Sequence, residues 1–136
     1  MCCIIVLLKA KDLLGDKEAH IFSAPGRTEV GGNHTDHQLG RVVAASIDLD
    51  VIAVVVPTDD SIVTYHAKGF SVSPVDLHNL EINEAEKNTT ESLIRGIAAG
   101  FTKKGYKVGG FKAYSESNVL SGGGMSSSAA FEVLIG

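Results

Sequence analysis

The pattern of apolar and polar residues predicts several strands, most of them in the first half of the chain. Residues 41–56 are rich in Val, Ile and Ala, and their nearly continuous apolar second half is typical of a strand buried on both faces. Residues 57–60 carry a turn signal, so the alternating residues 61–66 are expected to pair with the preceding strand as a hairpin. Residues 20–24 predict another strand, which Pro25 is expected to end.

The clearest helical pattern covers residues 90–104, where the apolar side chains recur at helical spacing. Asn88 and Glu91 have the spacing of a capping box, and Gly105 stands where a helix commonly ends. The other predicted elements are a helix or a strand starting near residue 4 and ended by Gly15, a short strand at 70–72, an irregular segment at 74–89, a strand at 111–117 and a helix at 126–135. This order predicts an α+β fold with a mixed, mostly antiparallel sheet.

Length and composition narrow the class of protein. A chain of 136 residues with 44% hydrophobic residues is expected to form one domain with a real core. The net charge of −4 and the scattered basic residues argue against a nucleic-acid partner. The only cysteines, Cys2 and Cys3, are adjacent, which argues against a disulfide framework and fits a reducing cytosol. Neither a signal peptide nor a membrane span is expected.

A glycine-rich segment runs directly into the last predicted helix, and it suggests a phosphate-binding loop. Glycines let the backbone approach a ligand, and the free amides and positive dipole end of a helix attract an anion. A serine hydroxyl there would be free to reach Mg²⁺. The alternative is a flexible Gly/Ser linker, which rarely leads directly into an apolar helical run. The candidate nucleotide-binding residues are Gly122, Gly123, Gly124, Met125, Ser126, Ser127 and Ser128.

A second candidate site lies in the polar residues 24–40. Arg27 is a permanent cation with a forked set of donors, suited to negative charge that develops during a reaction. Asn33, His34 and Asp36 can donate to or accept from the hydroxyls of a polyhydroxylated ligand. The alternative is a polar turn without function. A metal site at His34 and His37 is disfavoured because no third ligand is suitably spaced.

The two segments together resemble the signatures of the galactokinase branch of the GHMP sugar and isoprenoid kinases. Residues 25–40, PGRTEVGGNHTDHQLG, are similar to the first signature, and residues 122–130, GGGMSSSAA, are similar to the second. The resemblance implies ATP and Mg²⁺ as cofactors and phosphorylation of galactose, or a close relative, at its anomeric hydroxyl. It also implies an N-terminal GHMP-kinase domain, similar to ribosomal protein S5 domain 2, with helices on one side of the sheet.

The resemblance assigns roles to individual residues. It implies that Arg27 is catalytic, beside the transferred phosphoryl group, and that Ser128 contacts Mg²⁺ within the phosphate loop. It implies that Asn33, His34 and Asp36 bind the sugar. Asn33 replaces a glutamate of the signature, which removes a charge from one sugar contact and adds a donor. The tyrosine of the signature is also replaced, by histidine.

Galactokinases are roughly three times longer, so residues 1–136 are expected to be a partial N-terminal domain, truncated before the C-terminal domain and the catalytic base. The resemblance then implies an inactive fragment, a cytoplasmic location, a small sugar and ATP as partners, no nucleic-acid or membrane partner, and self-association through edges exposed by truncation. Two alternatives stay open: a non-catalytic sensor of sugar and nucleotide, and a GHMP kinase with another small-molecule substrate.

Overall fold

The computed structural model describes residues 2–15, 17–32, 39–70, 72–119 and 125–136. Four strands follow the first helix, and the last strand lies between the other two helices. In chain order the elements are α1 (Cys2–Leu14), β1 (His20–Gly31), β2 (Val43–Thr58), β3 (Ile62–Ala67), β4 (Val75–Asp76), a 3₁₀ turn (Glu84–Glu86), α2 (Thr90–Lys103), β5 (Gly110–Ser117) and α3 (Ser127–Ile135). The predicted α+β class is confirmed.

The five strands form one sheet in the order β1-β2-β5-β3-β4. The predicted hairpin between β2 and β3 is wrong, because β5 lies between them. β5 runs antiparallel to β2 and parallel to β3, and the other neighbouring pairs are antiparallel. Because β5 lies far along the chain, local alternation in residues 61–66 could not reveal its insertion.

Pro25 does not end β1, as the sequence predicted, but lies within it. The strand is at the edge of the sheet and pairs with β2 alone, so proline removes no ladder bond on a second side. The register shifts between Pro25 and Arg27, which marks a local irregularity in the pairing. This irregular stretch contains the catalytic candidate.

The helices lie on both faces of the sheet, so the expectation of helices on one side is wrong for α1. Alternate β2 residues Ile52, Val54 and Val56 pack with Val6, Ala10 and Leu14 of α1. The opposite face packs against α2 and α3, where Ile94 and Ala98 are buried. The reason is that β2 is apolar on both faces, and each face must be covered.

Smaller details also differ from the sequence prediction. The amino-terminal cap of α2 is Thr89, whose side chain accepts from the Ser92 amide, and Asn88 instead adopts a positive φ of 64°. Of the expected strand at 70–72, Phe70 forms a bridge with Ala67, Val72 lies in no strand and residue 71 lies outside the described residues; the short strand of the sheet is β4. None of the helices in the described residues is long and apolar enough to cross a membrane.

A carboxylate on the α1 face ties this helix to the sheet. Glu116 of β5 is only 9% exposed. It accepts hydrogen bonds from Lys9 Nζ of α1 at 3.1 Å, from the Tyr114 hydroxyl at 2.9 Å and from Lys68 Nζ at 3.2 Å. Burial by itself raises the pKa of Glu116, but these three donors outweigh it and hold the pKa below its usual value.

We therefore expect Glu116→Gln to lower the melting temperature by about 4–8 °C at pH 7. A carboxyl whose pKa is lowered by folding stabilises the protein above its unfolded pKa of about 4.3 and loses this contribution as the pH falls through the folded pKa. The difference between wild type and variant should thus shrink at acidic pH. Thermal unfolding from pH 3 to pH 7 measures it, with the exposed Glu18→Gln as control. A difference that stays constant with pH would contradict the role of the charge.

Candidate functional site

The two segments singled out in the sequence meet at the start of α3. The Arg27 amide donates to the Met125 carbonyl oxygen, with 3.2 Å between nitrogen and oxygen. Gly26 is buried at the contact, and a Cβ there would lie 3.1 Å from the Met125 carbonyl oxygen, Val119 Cγ1 and Ile47 Cδ1. The close approach of β1 to this helix therefore favours glycine at position 26.

The first turn of α3 has an unusual cap. Ser126 precedes the helix in the left-handed conformation (φ 55°, ψ 52°), and its side chain makes no capping hydrogen bond. Its carbonyl oxygen accepts from the Ala130 amide at 3.0 Å. A helix that lacks a side-chain cap leaves its first amides available to another acceptor. Ser127 and the exposed Ser128 complete this turn, so the turn is suited to an anion.

A cavity of about 450 Å³ opens beside this turn. Its lining is mainly apolar and aromatic with a few hydroxyl groups and one cation, which is the usual composition of a small-molecule site. Residues from β3, β5, α2 and α3 contribute, so the cavity exists only in the folded sheet. Its lining includes Tyr65, Phe70, Val72, Thr90, Leu93, Ser115, Ser127, Ser128 and Phe131.

The aromatic part of the cavity is held by the buried Tyr65 and the half-buried Phe131. The rings of Tyr65 and Phe131 meet edge to face, with 5.2 Å between centroids and an interplanar angle of 88°. The Tyr65 hydroxyl donates to Ser115 Oγ at 2.6 Å. Burial raises the pKa of Tyr65, and the hydrogen bond with Ser115 only partly opposes it, so the phenol stays protonated at neutral pH. This wall of the cavity is therefore neutral.

The structure describes only part of the predicted site. It brings Arg27 of β1 into contact with Met125, which precedes Ser126, Ser127 and Ser128 at the start of α3. The candidates outside the described residues are Asn33, His34, Asp36, Gly122, Gly123 and Gly124. In the described part of the chain, no three His, Cys, Asp or Glu side chains gather as a metal site.

Sequence reasoning missed the aromatic wall. Tyr65 was visible only as one residue of an alternating strand, and Phe131 only as part of an apolar helix. Their contact depends on β3 lying beside β5, which no local pattern revealed. The edge-to-face pair could be found only from the tertiary structure.

Comparison with known proteins agrees with the sequence signatures. A family model described as the galactokinase galactose-binding signature matches residues 11–57. The galactokinase of Lactobacillus helveticus is 32% identical over 134 residues, which are 96% of this chain and 34% of that protein. The galactokinase of Streptomyces coelicolor is 29% identical over 125 residues, 92% of this chain and 32% of that protein.

Comparison of the fold with solved structures also finds a galactokinase. The crystal structure of Lactococcus lactis galactokinase complexed with galactose matches 99% of this chain and 36% of its own chain, with a TM-score of 0.88 and 27% identity. The mevalonate kinase of Methanococcus jannaschii shares the fold, with a TM-score of 0.68 at 17% identity. The chain thus spans about a third of the length of the galactokinases that it matches. Over the residues it contains, the chain is similar to galactokinases along nearly its whole length.

Proposed function

We propose that the complete protein containing this chain transfers the γ-phosphoryl group of ATP to the anomeric hydroxyl of galactose or a close relative. The observation that carries the proposal is the contact between Arg27 and Met125, which joins the sugar-type signature to the glycine–serine segment. Because the chain spans about a third of its relatives, the transfer is proposed for the complete protein and not for this chain alone.

Phosphoryl transfer depends on positioning and charge neutralisation more than on covalent chemistry. The proposed roles follow from this requirement. Arg27 neutralises charge on the moving phosphoryl group, because its guanidinium is always charged. Asn33, His34 and Asp36 orient the sugar through its hydroxyls. The loop from Gly122 to Ser128 holds the phosphates through backbone amides.

The nucleotide is proposed to extend from this loop into the cavity beside α3. Ser127 and Ser128 line both the start of the helix and the cavity, so phosphates at the helix would place the base against the aromatic wall. The exposed Ser128 hydroxyl provides one oxygen of the kind Mg²⁺ prefers. When bound, Mg²⁺ would offset negative charge on the phosphates. We place the kinase in the cytoplasm, where ATP is available.

The test is an assay of the complete gene product with ATP and Mg²⁺. We expect ADP release that depends on galactose, with galactose 1-phosphate as the product, and no release with mevalonate or homoserine. Release with another sugar alone would change the substrate and keep the reaction. Tight binding of galactose and ATP without any ADP release would instead support a non-catalytic sensor and refute the proposal.

The chain itself is proposed to self-associate through β1. This strand pairs on one side with β2 and forms an edge of the sheet. Ile21 and Phe22 on it are 53% and 49% exposed. An exposed apolar edge strand is a template for pairing with another strand. Sedimentation of the purified chain should give a dimer or a larger species, and Ile21→Lys should shift it toward the monomer. A wild-type chain that sediments only as a monomer would refute the proposal.

A further inference from the structure

One wall of the cavity has no regular secondary structure and is fastened to a helix by a carboxylate. Phe70 and Val72 contribute to this wall, and Thr90 and Leu93 at the start of α2 line the same cavity. Glu91 Oε1 accepts a hydrogen bond from the Ser73 amide at 2.8 Å. We propose that Glu91 is a positioning residue, which holds this wall in the arrangement that binds the base of the nucleotide. The inference rests on the nucleotide site proposed above.

The helical side of this contact is rigid. Thr89 caps α2 through its hydroxyl, which accepts from the Ser92 amide at 3.3 Å. One turn further, Ile94 is 1% exposed and packs in the core with Ala98. Glu91, in the first turn, is thus fixed to a part of the protein that cannot move without disturbing the core. The first turn of a helix also favours a negative side chain.

The Ser73 side of this contact is held in place by a side chain of another element. Residues 72–74 belong to no helix or strand. Pro74 has no amide hydrogen, so its nitrogen cannot donate a hydrogen bond that would anchor the segment. The Ser73 amide therefore adds a polar connection to α2 beside the packing of Val72 on the core. The hydrogen bond from Ser73 lowers the pKa of Glu91 more than burial raises it, so the carboxylate is ionised at neutral pH and the bond is charge-assisted.

The position of the contact between Glu91 and Ser73 predicts which part of a bound ligand would be affected by its loss. The anion-binding turn belongs to α3, whereas Glu91 acts on the wall formed by Phe70 and Val72. Loss of the contact should let Val72 move away from Leu93 and widen the cavity there. Binding of the base should weaken, and binding of the phosphates should not.

The experiment measures binding to the complete protein by calorimetry, with Mg²⁺ present and two probes, ATP and tripolyphosphate, which lacks the base. We expect Glu91→Leu to weaken ATP binding on the order of tenfold and to change tripolyphosphate binding less than about twofold. Glu91→Gln keeps an acceptor oxygen without the charge, so most of the affinity for ATP should return. Glu84→Leu removes an exposed carboxylate outside the cavity lining and should leave both affinities unchanged.

Each of the other possible binding results would contradict a specific part of the proposal. If wild type binds ATP and Glu91→Leu binds it equally well, Glu91 does not position the wall. If Glu91→Leu weakens both probes equally, its effect is a general loss of structure and the inference is also overturned. If wild type binds tripolyphosphate but ATP no more tightly, the base does not occupy the cavity. If wild type binds neither probe, the proposed nucleotide site itself fails, and the inference falls with it.

Discussion

Replacing Arg27 with alanine is expected to lower kcat of the complete protein by about 10³–10⁵-fold, as loss of an arginine that stabilises a transferring phosphoryl group does in other phosphotransferases. The side chain is exposed, and the bond that joins β1 to α3 uses the backbone amide of Arg27. The substitution should therefore leave the fold intact. A galactose-dependent assay of ADP release, with thermal unfolding beside it, measures both effects.

Two further variants sharpen this experiment. Arg27→Lys keeps a positive charge but loses the planar fork of donors, so its kcat should fall between wild type and alanine. Lys104→Ala removes an exposed cation at the carboxyl end of α2 and should retain wild-type kcat. An alanine variant at position 27 with kcat within about tenfold of wild type, a cost of only ~1.4 kcal/mol, would rule out a role in the transfer step.

Replacing Gly110 with alanine is expected to destabilise the fold by about 1–3 kcal/mol, because the added methyl group overpacks a crowded contact. A Cβ at Gly110 would lie 2.6 Å from the Ile62 nitrogen, 2.7 Å from the Ile62 oxygen and 2.8 Å from Thr58 Oγ1. Ile62 begins β3 and Thr58 ends β2, so neither can yield without moving a strand. A larger side chain such as valine should cost more.

The neighbouring glycine provides a matched control. Gly109 has no atom within 4 Å of its ideal Cβ position, and it is exposed. Gly109→Ala should therefore leave the melting temperature unchanged or raise it slightly, since alanine reduces the entropy of the unfolded chain. Chemical denaturation of the two variants measures the difference. Equal stability of the two would mean that the passage of β5 between β2 and β3 does not depend on glycine.

Local sequence patterns led to correct predictions where interactions between neighbouring residues decide the structure. The apolar spacing of residues 90–104 predicted α2, which buries Ile94 and Ala98. The continuous apolar run of β2 predicted a strand buried on both faces. Gly15 ends α1 with a φ of 78°, as expected for a glycine at a helix end. These predictions depend only on residues that are close in the sequence, and they were sufficient to predict the fold class.

Predictions failed where distant residues compete for the same partner. Residues 61–66 alternate as a hairpin strand does, but β5 takes the position beside β2. Proline commonly ends a strand, but Pro25 lies within an edge strand, whose outer side needs no amide donor. The one-sided arrangement of helices failed because α1 covers the face of β2 that α2 and α3 leave open.

For function, the sequence by itself determined the resemblance to the galactokinases, because the residue types of its two signatures and their order are properties of the chain alone. It named Arg27 and the serines of α3 as candidates without any coordinates. Only the tertiary structure decided that Gly26 and Arg27 contact Met125 and that Tyr65, Phe131 and the start of α2 enclose one cavity. The physical reason is that signatures arise from local chemistry, whereas a cavity arises from strands and helices that meet only when β5 is inserted into the sheet.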